Sequence, residues 1–233
     1  MPTRVLLLVA VGLLATGSLA TGQVPSVDDL RSMVVGVAQA RSLVTAGVPL
    51  TSGAWGTDYI TVSHGLRVGS QFEITYDGQA FDESAPVAAC SAWHHGIDVL
   101  ILRVASHQYR RVVAWGNPAD LKAGDELLLL PRPEIQTSPP RVTFVHVNLL
   151  AWSGERAELQ PRAWPREWQN VMVGVGDSLP GFSGSPWVKD GKVYGLHKGR
   201  VRPASTWFEV AETATAVHRC LQIVHYAELI PTR

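Results

Sequence analysis

The chain has 233 residues, 46% of them hydrophobic and 17% charged, with 21 glycines and 15 prolines. That composition supplies enough apolar mass for packed cores and enough breakers for many short strands, and it argues against a disordered or fibrous chain. Twenty basic residues balance twenty acidic ones and are scattered along the sequence, so no net field draws the protein to nucleic acid or anionic lipid.

Arg4, the apolar run 5–14 and the small-residue stretch from Ala15 to Ala20 read as an export leader, residues 1–20, cut after Ala20. An apolar run of about ten residues is half of what a bilayer-spanning helix needs, which favours a removed leader over a membrane anchor. Residues 21–46 follow as an N-terminal extension or pro-segment. Within 26–44, Ser26 is a candidate N-cap, Asp28 and Asp29 are first-turn acids, and the apolar spacing predicts a short helix.

From residue 47 to 233 the texture is that of one domain of short β-rich runs. Strands are predicted at 59–62, 72–76, 99–104, 126–130, 142–150, 158–159, 171–175, 186–188, 193–196 and 206–210, with Asp77-Gly78 and Asp190-Gly191 as turn signals. The proline-rich piece 131–140 reads as a connector between two strand groups. Residues 211–229 carry an apolar stripe of Ala216, Val217, Cys220, Leu221, Val224 and Leu229, which predicts a helix ended by Pro231. Many strands at short intervals with few helices point to an all-β barrel or sandwich.

Three spots have the parts for nucleophilic catalysis, which needs a nucleophile, a base to take its proton and a group to orient the base. Ser183 lies in Gly181-Phe182-Ser183-Gly184-Ser185-Pro186, where flanking glycines permit a sharp turn and the N–H groups of Gly181 and Ser183 are placed to form an oxyanion hole. His64 follows a strand-like run, and Asp98 stands at the mouth of an apolar one. The α/β-hydrolase arrangement does not fit, because it requires Gly-x-Ser-x-Gly and a base downstream of the nucleophile. Here position 185 is Ser, and His64 and Asp98 both precede Ser183.

Together, Thr61-Val62-Ser63-His64, Asp98-Val99-Leu100-Ile101-Leu102 and Gly181–Pro186 resemble the three signature segments of trypsin-like, chymotrypsin-fold serine proteases. The resemblance runs over about 48–226 and includes 120–125, similar to the Lys-x-Gly-Asp strand entry of bacterial members. It implies two six-stranded antiparallel β-barrels with a triad of His64, Asp98 and Ser183 in the cleft between them, and a C-terminal helix. No metal or organic cofactor is called for. The implied partner is a peptide or protein substrate, acted on by an exported monomer with no membrane span once the leader is gone. The competing function is a peptide-binding module of the same fold without activity.

Phe182 replaces the Asp or Asn common before the nucleophile, so activation by pairing that acid with a freed N-terminus is not expected. Gly181–Pro186 and Gly195-Leu196-His197-Lys198-Gly199 resemble the glutamyl-endopeptidase-like subgroup. There His197 and Ser178 would line the S1 pocket and take Glu or Gln at P1. Asp177, six residues before Ser183, marks the opposite expectation, a basic P1. The same fold would bring Cys90 and Cys220 within bonding distance; from the residues alone, pairing and two buried thiols are equally open. His94 and His95 point apart on an extended chain and read as a solvated pair, and Trp152, Trp164 and Trp168 as packing residues between strands.

Overall fold

Successive side chains of a strand face opposite ways, and the central strands here are apolar on both faces, as buried strands between two cores must be. In the computed structural model, which describes residues 24–39, 42–54, 56–64, 66, 72–76, 79–80, 86–91, 97–105, 110–132, 135, 138–147, 171–201, 207–218 and 230–231, this alternation builds two β units packed against each other.

The first unit contains β1 (Val35–Gln39), β2 (Ser42–Gly53), β3 (Gly56–Thr61), β4 (Phe72–Tyr76), β5 (Gln79–Ala80), β6 (Pro86–Ser91) and β7 (Leu100–Val104). The second contains β8 (Ala114–Trp115), β9 (Glu126–Leu129), β10 (Arg141–Val147), β11 (Val171–Gly176), β12 (Pro186–Lys189), β13 (Lys192–Val201) and β14 (Phe208–Thr213). The last strand, β15 (Ile230–Pro231), returns to the first unit and pairs with β6.

In the second sheet the order β12-β9-β10-β11-β14-β13 is closed by β12–β13 pairing into a six-stranded antiparallel barrel, with β8 added parallel to β13. The first sheet runs β15-β6-β7-β3-β2-β1-β4-β5 as a half-barrel, six antiparallel strands extended by the two-residue edges β5 and β15.

Leu100, Leu102 and Val104 fill the first unit with Val35, Val37 and Phe72, while Val99 and Ile101, on the other face, enter a shared core between the units. Leu127 and Leu129 likewise fill the second barrel, and Leu130 enters the shared core beside Ile60, Val62, Val188 and Leu196. At roughly 1.5–3 kcal/mol for each fully buried aliphatic side chain, the shared core holds the cleft walls together.

Three expectations change. Of 26–44, only Val27–Arg31 is helical; Ser26 caps it with the reciprocal Ser26–Asp29 bonds of a capping box. Val34-Val35-Gly36-Val37 breaks the helical pattern, since β-branched residues and glycine are poor helix formers, and Val35 and Val37 go into the first core as strand residues. The boundary expected at 46/47 therefore falls inside β2. The piece 131–140 joins β9 to β10 within the second barrel, and the chain passes from the first unit to the second between β7 and β8. The helix expected from residue 211 starts at Ala214, because Ala211 to Thr213 complete β14. Its described part is 214–218.

Strand 158–159, the leader 1–20, His94, His95, Trp152, Trp164, Trp168 and Cys220 lie outside the described residues, as does the side chain of Cys90. Among the described residues no helix is long and apolar enough to cross a membrane.

Candidate active site

His64 sits in the turn after β3, Asp98 on the extended segment entering β7, and Ser183 in the turn between β11 and β12. The β3–β7 ladder pairs Thr61 with Leu100, which brings the ends carrying His64 and Asp98 side by side. His64 Nδ1 lies 2.6 Å from Asp98 Oδ2, and His64 Nε2 lies 3.0 Å from Ser183 Oγ. With the Nδ1 proton kept on the ring and donated to Asp98 Oδ2, Nε2 is left to accept the serine proton.

Asp98 is 1% exposed and its other oxygen is fully employed: Oδ1 accepts the Ser63 N–H and hydroxyl, each at 2.9 Å, and the His64 N–H at 2.8 Å. Burial pushes the carboxyl up, but the hydrogen bond and charge of His64, the charge of Lys198 and the Ser63 bond outweigh it and hold Asp98 below the usual carboxylate value. The His64 side chain keeps 35% of its surface open, enough for a substrate to reach it.

The Ser183 turn is gripped from both units. Ser183 C=O accepts the Ala46 N–H at 2.7 Å and the Thr45 hydroxyl at 2.6 Å, both from β2 of the first unit. On the other side Gly184 N–H donates to His197 C=O, and His197 N–H to Ser185 C=O, each at 2.7 Å. Phe182, 1% exposed, plugs into the second barrel's core, which fixes the residue before the nucleophile by packing in place of an ion pair. Gly181 has φ +92°, a left-handed conformation that favours glycine. The N–H groups of Gly181 and Ser183 donate to no described protein acceptor, so both are free for an oxygen in the cleft.

The expected P1 selectors are placed unequally. Ser178 and His197 are each 2% exposed, whereas the Asp177 side chain is fully exposed. His197 Nδ1 accepts from Trp187 Nε1 at 3.4 Å, so its proton is on Nε2, 3.7 Å from Glu209 Oε2. Burial first, then the charges of His64 and Arg200, push the His197 imidazole down to about 3, and it is neutral at physiological pH.

Glu209 is the buried carboxylate here, one the motifs did not reveal. Its Oε1 accepts the Ser178 N–H at 3.0 Å and lies 3.1 Å from Arg200 Nε. Burial pushes its carboxyl up against the Ser178 bonds and the Arg200 charge. The Arg200 guanidinium also donates to Ser178 C=O at 3.0 Å and lies over the Trp207 ring at 4.9 Å.

No protein-family model matches the chain, and no curated protein matches it in sequence. Solved structures do match. The inactive form of Rv3671c from M. tuberculosis H37Rv, as a serine-to-alanine mutant, is similar at 17% identity over 89% of this chain and 93% of that one, with TM-score 0.65. The active form of the Rv3671c protease matches at 18% identity over 89% and 87%, TM-score 0.62. The fold is chymotrypsin-like. An HtrA-type protease, AlgW, with a bound tripeptide adds a third case at 12% identity, covering 84% of this chain and 61% of that one, TM-score 0.63. At these identities the likeness is one of fold, and what the chymotrypsin-like cleft does in this chain is argued from its own residues.

Proposed function

We propose that this protein is a serine endopeptidase with His64, Asp98 and Ser183 as its triad and the N–H groups of Gly181 and Ser183 as its oxyanion hole. One observation carries the reading: a single imidazole, 2.6 Å from a buried carboxylate and 3.0 Å from a serine hydroxyl, beside two free backbone donors. His64 Nε2 takes the Ser183 proton as Oγ bonds to the scissile carbonyl carbon. The oxyanion is held by the two N–H groups, each worth about 3–4 kcal/mol of barrier. The C–N bond then breaks, the proton passes from His64 to the leaving amine, and water repeats the sequence on the acyl-enzyme. The leader motif supports export as the setting.

For P1, the glutamyl-endopeptidase-like motifs support Glu or Gln, and of the two we infer Gln from the charges around His197. His197 is neutral, Glu209 stands 3.7 Å behind it, and Arg200 offsets the Glu209 charge, so the group leaves no net charge for a P1 ion to balance. The basic alternative rests on Asp177, which faces solvent.

A fluorophosphonate should label the native protein and not the Ser183→Ala variant; equal labelling of both, or of neither, removes the enzymatic reading and leaves the binding module. In a peptide panel, kcat/KM should be highest for Gln at P1, with Glu lower and Lys or Arg roughly 100-fold down. Efficient cleavage after Arg or Lys with none after Gln would overturn the P1 assignment alone.

A further inference from the structure

Two charged groups that the hydrolytic steps leave unused, a largely covered lysine and a buried glutamate, stand directly behind Asp98. Lys198 lies on β13 at the bulge between His197 and Gly199, which interrupts the alternation of the strand. Its side chain is 9% exposed, with Nζ 3.9 Å from Asp98 Oδ2 and 2.5 Å from Glu212 Oε1. Glu212, on β14, is 1% exposed, and its Oε1 also accepts the Asp98 backbone N–H at 3.3 Å. Asp98 is thus faced by His64 and Ser63 from the turn after β3, by Lys198 from β13 and by Glu212 from β14.

We propose that Lys198 and Glu212 form a buried ion pair that positions the Asp98 carboxylate behind His64 while keeping the net charge of the group at that of a lone aspartate. This rests on the triad reading. Lys198 alone would cancel the charge with which Asp98 supports the imidazolium. Glu212 alone would repel a second carboxylate in a site that water cannot screen. Side by side, one cation and two anions leave a single negative charge facing His64. Glu212 also ties the Asp98 main chain, so the pair fixes position and charge together. Burial pushes the Glu212 carboxyl up and the Lys198 charge works against that push, consistent with each member needing the other.

The test compares Lys198→Met, Glu212→Gln and the double variant by kcat, KM, the pH profile of kcat/KM and thermal unfolding. K198M makes the site more negative, which favours the imidazolium and moves the acidic limb of kcat/KM to higher pH. E212Q makes it more neutral and moves that limb to lower pH. Each single variant should lose roughly 100-fold in kcat with little change in KM, because the member left unpaired displaces the Asp98 carboxylate from His64 Nδ1, where it acts during reaction and not in substrate binding. The double variant, balanced again, should recover to within about tenfold of the native kcat with its limb back in place.

Opposite shifts of the two limbs are a result that loss of stability alone does not produce. Limbs that stay put in both singles, with kcat within threefold of native, overturn the proposal. Should the singles not fold, a folded double variant with a displaced limb overturns it and one with the native limb supports it. Absence of fluorophosphonate labelling in the native protein would instead overturn the triad reading on which it rests.

Discussion

His197 is a residue whose protonation is decided by burial, and that has a consequence for stability. Its folded value of about 3 lies below the unfolded imidazole value near 6.5. The unfolded state therefore binds the proton first as pH falls, and stability is fully present above about pH 6.5 and lost below it by about 1.4 kcal/mol per pH unit until pH approaches 3. Glu209 and Glu212, both raised by burial, act in the opposite sense: they favour the folded state as pH falls toward the ordinary carboxylate value. A direct comparison isolates the histidine. Urea unfolding of native protein and His197→Asn between pH 7.5 and 4.5 should show the native advantage shrinking by about 1.4 kcal/mol per unit below pH 6.5. A constant difference across that range would mean that His197 takes up its proton while folded.

At the same scale, His64, Asp98 and Ser183, which lie within hydrogen-bonding reach of one another, each sit in a short local motif whose residue types the proposed chemistry demands. Glu209, Glu212 and Lys198 were not readable, because their meaning depends on partners brought across β13–β14 with a bulge in the register. The one available signal was two acids inside the apolar alternation Phe208-Glu209-Val210-Ala211-Glu212. Asp177 shows the reverse: a position singled out by spacing whose side chain stands in solvent.

At the scale of elements, strands bounded by turn residues were legible. Phe72–Tyr76 has the expected bounds, and the β12–β13 hairpin closes on Asp190 and Gly191 at φ 50° and 74°, the left-handed pair a tight two-residue turn requires. β1 and β2 were missed for a physical reason. Ser26 and its two acids start a real helix, and the Ala, Gly and Gln residues that follow carry no strong strand preference of their own. What makes 35–39 and 42–53 a strand pair is burial of Val35, Val37, Ala46 and Val48 against residues far away in sequence, information a local window lacks. The proline-rich piece 131–140 lies between β9 and β10, and prolines mark a turn whether it joins two barrels or two strands of one barrel. β2 matters for the candidate site because Thr45 and Ala46, at the end of the segment expected as an N-terminal extension or pro-segment, hold the Ser183 carbonyl.

At the scale of the molecule, a site spanning two units is only as well defined as the seam between them, and Gly184 is the tightest point of that seam. A Cβ added there would lie 1.9 Å from Ala46 O and 2.6 Å from Thr45 Oγ1, and the residue sits at φ +78°. Nothing flexible is available to give way, because the obstructing oxygen belongs to the β2 backbone. The left-handed conformation adds about 1–2 kcal/mol for any residue with a side chain. Gly184→Ala must therefore push the nucleophile turn and β2 apart, weakening both bonds to the Ser183 carbonyl and moving Oγ away from His64 Nε2. The expected loss is about 3 kcal/mol or more, or roughly 6–12 °C in Tm for a chain of this size. The fluorophosphonate labelling rate should fall by at least tenfold at temperatures where the variant is still folded. Thr45→Val separates the two effects, since it removes the hydroxyl that bonds the Ser183 carbonyl and meets the Thr61 hydroxyl, and adds no clash; it should cost about 1–2 kcal/mol with a smaller drop in labelling. A Gly184→Ala protein with native Tm and native labelling rate would show that the two units are not locked at this seam, and that the cleft geometry is held elsewhere.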